Sequence, residues 1–335
     1  MQGRGEALAL HLEVFMRKAI LSVLLAGILL ALPGCAPAGE QAKLTVVCTT
    51  YPIYLFATYL AQEVEGVAVE RLDTGSTSCL HDYSLSMQDM KKLERADVIA
   101  LNGAGLEEFL EDALAASDAA VIDCSQGVEL LENLSHLHDE DDHDHDGHDH
   151  GHWDPHYWMD PENARIMTAN LRNGLEQADP DNGERYRANA SGLDWELHCC
   201  GEDAKAELEG YSYLLNPNLI TFHDGFQYFA KAFGLNLLAS IEEEAGSEAS
   251  AHEIVEITRL VKEYDIPVIF TEINGSDATA KAVARETGCQ VSALTMIMGD
   301  GPDEPGGYLD GITFNVRTII DGSRLSYLTK QEGAA

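Results

Sequence analysis

Twice along this chain a strand-helix alternation starts up, and that repetition limits the fold more than any other feature. The first series opens at Leu44–Thr49 (LTVVCT), a short apolar run rich in β-branched residues that reads as a buried strand. Predicted helices over 52–64, 87–95 and 106–116 alternate with predicted strands over 67–72, 97–101 and 119–122. The second series opens at Leu219–Phe222 (LITF). It continues through strands at 235–238, 267–271 and 290–294, with helices over 225–233, 250–264, 277–287 and 307–320. Such alternation predicts an α/β fold of two βα lobes with mainly parallel sheets.

Between the two series the pattern breaks. Residues 136–152 (HLHDEDDHDHDGHDHGH) carry no apolar period, cannot build a core, and predict a mobile loop. Then Asp160-Pro161 places an N-cap residue before a proline at the first helical position. Ala164, Met167, Leu171 and Leu175 follow at helical spacing, and Asp179-Pro180 ends the run. This predicts a long linking helix between the lobes, followed by a second helical stretch over 182–208. In sheets of this kind ligands bind beyond the carboxyl ends of the strands, so the cleft between the lobes is the expected site.

The N-terminus reads as a targeting segment. Met16-Arg17-Lys18 is a short basic region, and 19–32 is an apolar run of about 14 residues, too short to span a bilayer as a helix. Leu32-Pro33-Gly34-Cys35 resembles a lipobox, with Cys35 lipidated as the first mature residue, and Met16 is a plausible true start. The alternative is an uncleaved anchor helix. The expected organisation is a signal peptide over 1–34, a tether over 35–43, an N-terminal lobe over 44–135 and the His/Asp-rich loop over 136–152. A ligand motif with the linking helix follows over 153–180, and the C-terminal lobe fills 181–335. Export makes disulfides possible among the six cysteines after Cys35, without choosing a pairing.

The formal charge of −36 leaves no basic patch to neutralise phosphates, which excludes nucleic acid as a partner. Acidity suits attraction of cations, and it also suits solubility alone. Three histidines outside the acidic loop fall where the fold would bring them together. His81 lies in the loop after strand 67–72, His156 just before the linking helix, and His223 directly after LITF. Three imidazoles with a fourth position open make a good zinc site. His198 and His252 fall within predicted helices and read as ordinary surface or packing residues. Tyr83, Trp153 and Trp158 are expected to line the cleft, and Asp154 and Asp224 to orient the neighbouring imidazoles.

Four stretches make the resemblance specific: VVCTTYPIY (46–54), HDYSLSMQD (81–89), WDPHYWMDPEN (153–163) and TFHDGFQYFAKAFGL (221–235). In that order they resemble the zinc/manganese family of solute-binding lipoproteins of bacterial ABC importers. HDYSLSMQD departs from the family by lacking its two prolines, but it keeps His81, Tyr83 and Asp89. The resemblance implies His81, His156 and His223 as metal ligands. Manganese members usually carry glutamate at the third position, so His223 favours zinc over manganese. A fourth family ligand, where it is a side chain, is a carboxylate near the last strand. Residues 293–298 hold none, which leaves water or a displaced carboxylate; Asp300 lies a little further on, as do Asp303 and Glu304.

The resemblance further implies such His-rich loops in zinc-specific members; His136, His138, His143, His145, His148, His150 and His152 are expected to form an auxiliary loop that collects zinc and passes it to His156, and otherwise the segment is a solvated acidic linker. The expected protein is a monomer, lipid-anchored outside the cytoplasm, that carries Zn2+ to a membrane permease. The alternatives are a manganese carrier of the same fold, a three-histidine zinc hydrolase, for which no further catalytic motif is present, and a surface adhesin.

Overall fold

The computed structural model describes residues 42–73, 83–133, 152–240, 250–301 and 303–333. The first lobe holds strands β1 (Leu44–Cys48), β2 (Val67–Arg71), β3 (Val98–Leu101) and β4 (Ala120–Asp123), with helices α1 (Tyr51–Leu60), α2 (Met87–Glu94) and α3 (Glu111–Ala115). The second holds β5 (Asn218–Thr221), β6 (Asn236–Ser240), β7 (Val268–Glu272) and β8 (Gln290–Leu294), with α6 (Gln227–Ala232), α7 (Ala251–Glu263), α8 (Ala278–Thr287) and α9 (Tyr308–Gly333). Between them run α4 (Pro161–Ala178) and α5 (Gly183–Gly210).

All the strand pairings within the two sheets are parallel, and the two sheets repeat one order, β2-β1-β3-β4 and β6-β5-β7-β8. Each sheet therefore changes winding direction between its first and third strand. Crevices at the carboxyl ends of β1/β3 and β5/β7 are the natural ligand sites.

Successive strand residues face opposite sides of a sheet, and β1 shows the consequence. Val46 and Cys48 join the large central core, while Val47 faces a smaller cluster with Leu72, Leu93, Ile99 and Leu110. In the second lobe Phe270 faces the central core and Ile269 a satellite with Ile257, Val261 and Val283. The central core is continuous through both lobes and through α4 and α5, including Val46, Met167, Leu171, Leu197, Phe229 and Ile312.

Helix α4 forms as its sequence predicts. Asp160 is the N-cap and accepts from Glu162 N at 2.9 Å, with Pro161 at the first helical position. Its buried stripe is Ala164, Met167, Leu171 and Leu175. Gly174 lets it lie close to β4, because a Cβ there would collide with Ile122. Sequence and structure differ mainly at helix ends. The expected helix over 106–116 is a 3-10 turn, Glu108–Leu110, followed by α3, and α9 runs past 320 to Gly333. Beyond Ser323 the α9 positions that are described lie exposed, so no apolar period marked them as helix.

Candidate metal centre

The segment from Trp153 to Asp160 is fastened to both lobes. On the first-lobe side, Asn102 Nδ2 donates to the Pro155 carbonyl at 3.0 Å, and Tyr157 Oη donates to the Asn102 carbonyl at 2.6 Å. Asn102 directly follows β3, at that lobe's switch point. On the second-lobe side, Trp158 Nε1 donates to the Met296 carbonyl at 2.9 Å, and Tyr308 Oη to the Trp158 carbonyl at 2.6 Å. Tyr228 Oη donates to the Asp154 carbonyl at 3.0 Å.

His156 sits in this segment and is 8% exposed. Its Nδ1 lies 2.8 Å from Asp154 Oδ1, which also accepts from the His156 backbone N–H at 2.9 Å. A carboxylate at Nδ1 fixes the proton there, so Nε2 presents a lone pair to a metal ion. Asp154 is itself 2% exposed and has the orienting role expected of it.

His223 comes from the turn after β5, at the second switch point, and is 7% exposed. Its ring centroid is 5.6 Å from that of His156, at an interplanar angle of 79°. The carboxylate beside it is Glu272, with Oε2 3.6 Å from Nδ1. Glu272 ends β7, so both residues stand at the β5/β7 switch point. Its burial lifts the carboxyl to about 8, and Glu304 adds to the rise. Asp224, expected to orient His223, accepts from Ser240 Oγ at 3.1 Å. Glu272 was missed in the sequence; the signal available was its place as the last residue of the strand run PVIFTE.

His81 lies outside the described residues, as do Cys35 and Cys79 and the loop histidines His136, His138, His143, His145, His148 and His150. The flanks of the His81 loop are described. Asp73 N, before it, and Tyr83 Oη, after it, both donate to the buried Asp89 carboxylate, at 2.8 and 2.5 Å. Burial would raise Asp89, but hydrogen bonds from Ser86, Tyr83 and Asp73 outweigh it and hold the carboxyl below its ordinary value.

His152 lies at the far end of the His-rich segment. Its ring packs on Trp153 with centroids 4.4 Å apart, and Nε2 is 3.9 Å from Glu132 Oε1. Asp300 is mostly exposed, and its Oδ1 lies 3.1 Å from Arg71 Nη2. Thus Asp300, named as a possible fourth ligand, is paired with a guanidinium. Of the expected cleft aromatics, Trp158 packs edge-on to His156 with centroids 5.2 Å apart, while Trp153 stays partly exposed. His198 is partly exposed on α5, 3.4 Å from Glu162, and His252 is exposed on α7. Among the described residues, Cys48, Cys124, Cys199, Cys200 and Cys289 are free thiols.

The donors in place are imidazoles, one of them pinned through its far nitrogen by a carboxylate and the other with Glu272 beside it. That set fits a borderline divalent ion such as zinc. Two βα lobes of one strand order, bridged by long helices, bring His156 and His223 together at their seam.

The chain belongs to the family described as zinc-uptake complex component A, periplasmic, whose model matches residues 46–322. It is 27% identical over 270 residues to the zinc-binding protein AdcA of Streptococcus pyogenes, covering 77% of this chain and 51% of that protein. It is 28% identical over 285 residues to the high-affinity zinc uptake system protein ZnuA of Bacillus subtilis, covering 83% and 87%. The chain therefore spans about half the length of the streptococcal relatives. Among solved structures, a mutant, manganese-bound periplasmic metal binding protein of Candidatus Liberibacter asiaticus matches with a TM-score of 0.71 and 25% identity. That match covers 83% of this chain and 99% of the other.

Proposed function

We propose that this chain is a lipid-anchored, extracytoplasmic zinc receptor that captures Zn2+ in the cleft and delivers it to an ABC permease. The observation that carries this reading is the approach of His156 and His223 at the lobe seam, with His156 Nδ1 already taken by Asp154. His81 supplies the third imidazole by the family pattern, and the fourth position is left to water. Zinc accepts three nitrogens and one open position, whereas manganese asks for oxygens. The names of the zinc relatives support this ion, and manganese is the alternative cargo.

The work is capture and release, with no bond made or broken in a substrate. Imidazoles bind the ion through an unprotonated nitrogen, so metal and protons compete for them. Asn102, Trp158 and Tyr308 fasten the His156 segment to both lobes, and the core runs unbroken between them. This favours a site that holds its shape until docking on the permease distorts it. Export by residues 1–34 and lipidation of Cys35 keep the protein at the membrane surface.

The loop over 136–152 serves as a collector. Its base is tied by the antiparallel bridge of Glu132 with Trp153, where Asn133 N donates to the His152 carbonyl and Asp154 N to the Leu131 carbonyl. Ions held weakly there are released beside His156, at high effective concentration.

The test is a competitive zinc titration of the wild type, a variant lacking 136–152, and His223→Ala. One tight zinc kept by the shortened variant and strongly weakened by His223→Ala makes the cleft the transport site. Tight binding that vanishes with the loop and ignores His223→Ala makes the loop the principal site and overturns the cleft assignment.

A further inference from the structure

The second lobe walls the site from three strand ends. His223 follows β5, Glu272 ends β7, and Met296 follows β8. The stretch from Ala293 to Met298 offers no carboxylate. Met296 stands there, 1% exposed. Trp158 Nε1 holds its carbonyl at 2.9 Å, from the same segment that carries His156. Its side chain reaches over Gly225. A Cβ on Gly225 would collide with Met296 Cε and lie 3.0 Å from Sδ and 3.2 Å from His156 Cδ2. The thioether and the His156 ring thus converge on one small space, kept open by a glycine two residues after His223.

We infer that Met296 is a specificity-determining residue of this site: its buried side chain fills the space beside His156 through which an oxygen donor would enter. The inference rests on the zinc reading above. Manganese seeks near-octahedral oxygen coordination, so an apolar wall where an oxygen donor further to Glu272 would stand costs it more than it costs tetrahedral zinc. The thioether acts as a wall and not as a ligand, because the neutral methionine sulfur is only a weak donor beside imidazole.

Zn2+ and Mn2+ affinities are measured against a chromophoric chelator for the full chain and its variants, with melting curves to confirm folding. Met296→Leu keeps the apolar bulk and leaves the zinc-to-manganese affinity ratio within about threefold of wild type. Met296→Asp supplies an oxygen donor and lowers that ratio by about tenfold or more, chiefly through tighter manganese. An unaltered ratio in a folded Met296→Asp protein, with wild-type zinc binding intact, overturns this inference alone.

If Met296→Asp does not fold, Met296→Ala serves. By admitting water it lowers the ratio by about threefold or more, and no change again overturns the inference. Zinc X-ray absorption of the wild type gives an independent readout. A nitrogen and oxygen shell alone agrees with a wall; a sulfur shell at about 2.3 Å makes Met296 a ligand and overturns that role. A wild type that binds no zinc tightly overturns the zinc reading and this inference with it.

Discussion

Asp154 shows how one side chain can set the chemistry of another. Its Oδ1 takes both the backbone N–H and Nδ1 of His156, which fixes the turn and the ring together. Asp154→Ala leaves the imidazole in place but frees its tautomer and rotation. Zinc affinity is expected to fall by about 10- to 100-fold, the usual effect of losing such a partner, while Asp154→Asn loses less because its amide oxygen still accepts. Chelator competition on both variants checks this, and equal losses would rule out the orienting role. His156 and His223 were legible in the sequence because each stands in a distinctive motif at a predicted strand or helix end. Glu272 was not, since an acidic residue closing an apolar strand looks like any strand terminus until the sheet sets it beside His223. Asp224, adjacent to His223 in sequence, was the natural guess, and its carboxylate accepts from Ser240 Oγ.

At the scale of elements, the lobes were readable because parallel buried strands are short β-branched runs and their helices carry an apolar stripe. The order of strands within each sheet was not readable, because pairing depends on crossovers that periodicity does not encode. Helix α4 was the best-marked element, with a cap, a proline and a stripe. Its cap makes a sharp prediction. Asp160→Ala removes the acceptor for Glu162 N and is expected to cost about 1 kcal/mol, whereas Asp160→Asn, an equally good cap, costs a few tenths at most. Urea unfolding of the two variants separates them, and equal destabilisation would mean that the carboxylate matters here for some reason other than capping. Because Asp160 also ends the segment that carries His156, the alanine variant is expected to weaken zinc binding modestly as well.

At the scale of the molecule, the lobes are joined inside and out, and the two joints differ in weight. Outside, Arg71 of β2 reaches Asp300 of the second lobe, with its guanidinium 4.8 Å from the Tyr51 ring centroid and 5.7 Å from that of Tyr54. Asp300 is largely exposed, so the pair is screened, and a double-mutant cycle is expected to give about 0–1 kcal/mol. Inside, a network around Glu107 ties the first lobe to the segment that carries His156. This buried carboxylate accepts from Thr49 Oγ1 at 2.6 Å, Asn102 N at 2.6 Å and Gly103 N at 2.9 Å, all at the first lobe's switch point. Asn102 in turn holds Pro155, next to His156. Burial lifts Glu107 to about 7, although its hydrogen bonds pull the other way. The folded state then keeps a proton that the unfolded chain gives up near its ordinary value of about 4.3. Where the folded state binds more protons, stability falls as pH rises. The contribution is therefore greatest below about pH 4.3, declines up to about 7, and is flat beyond. Glu107→Gln keeps an acceptor but cannot titrate, so its stability lacks this slope. Urea midpoints at several pH values between 5 and 8 are expected to show wild type losing ground to Glu107→Gln up to about pH 7 and holding level above it. Parallel curves across that range would mean that the folded protein carries Glu107 ionised throughout, and that its three donors outweigh its burial.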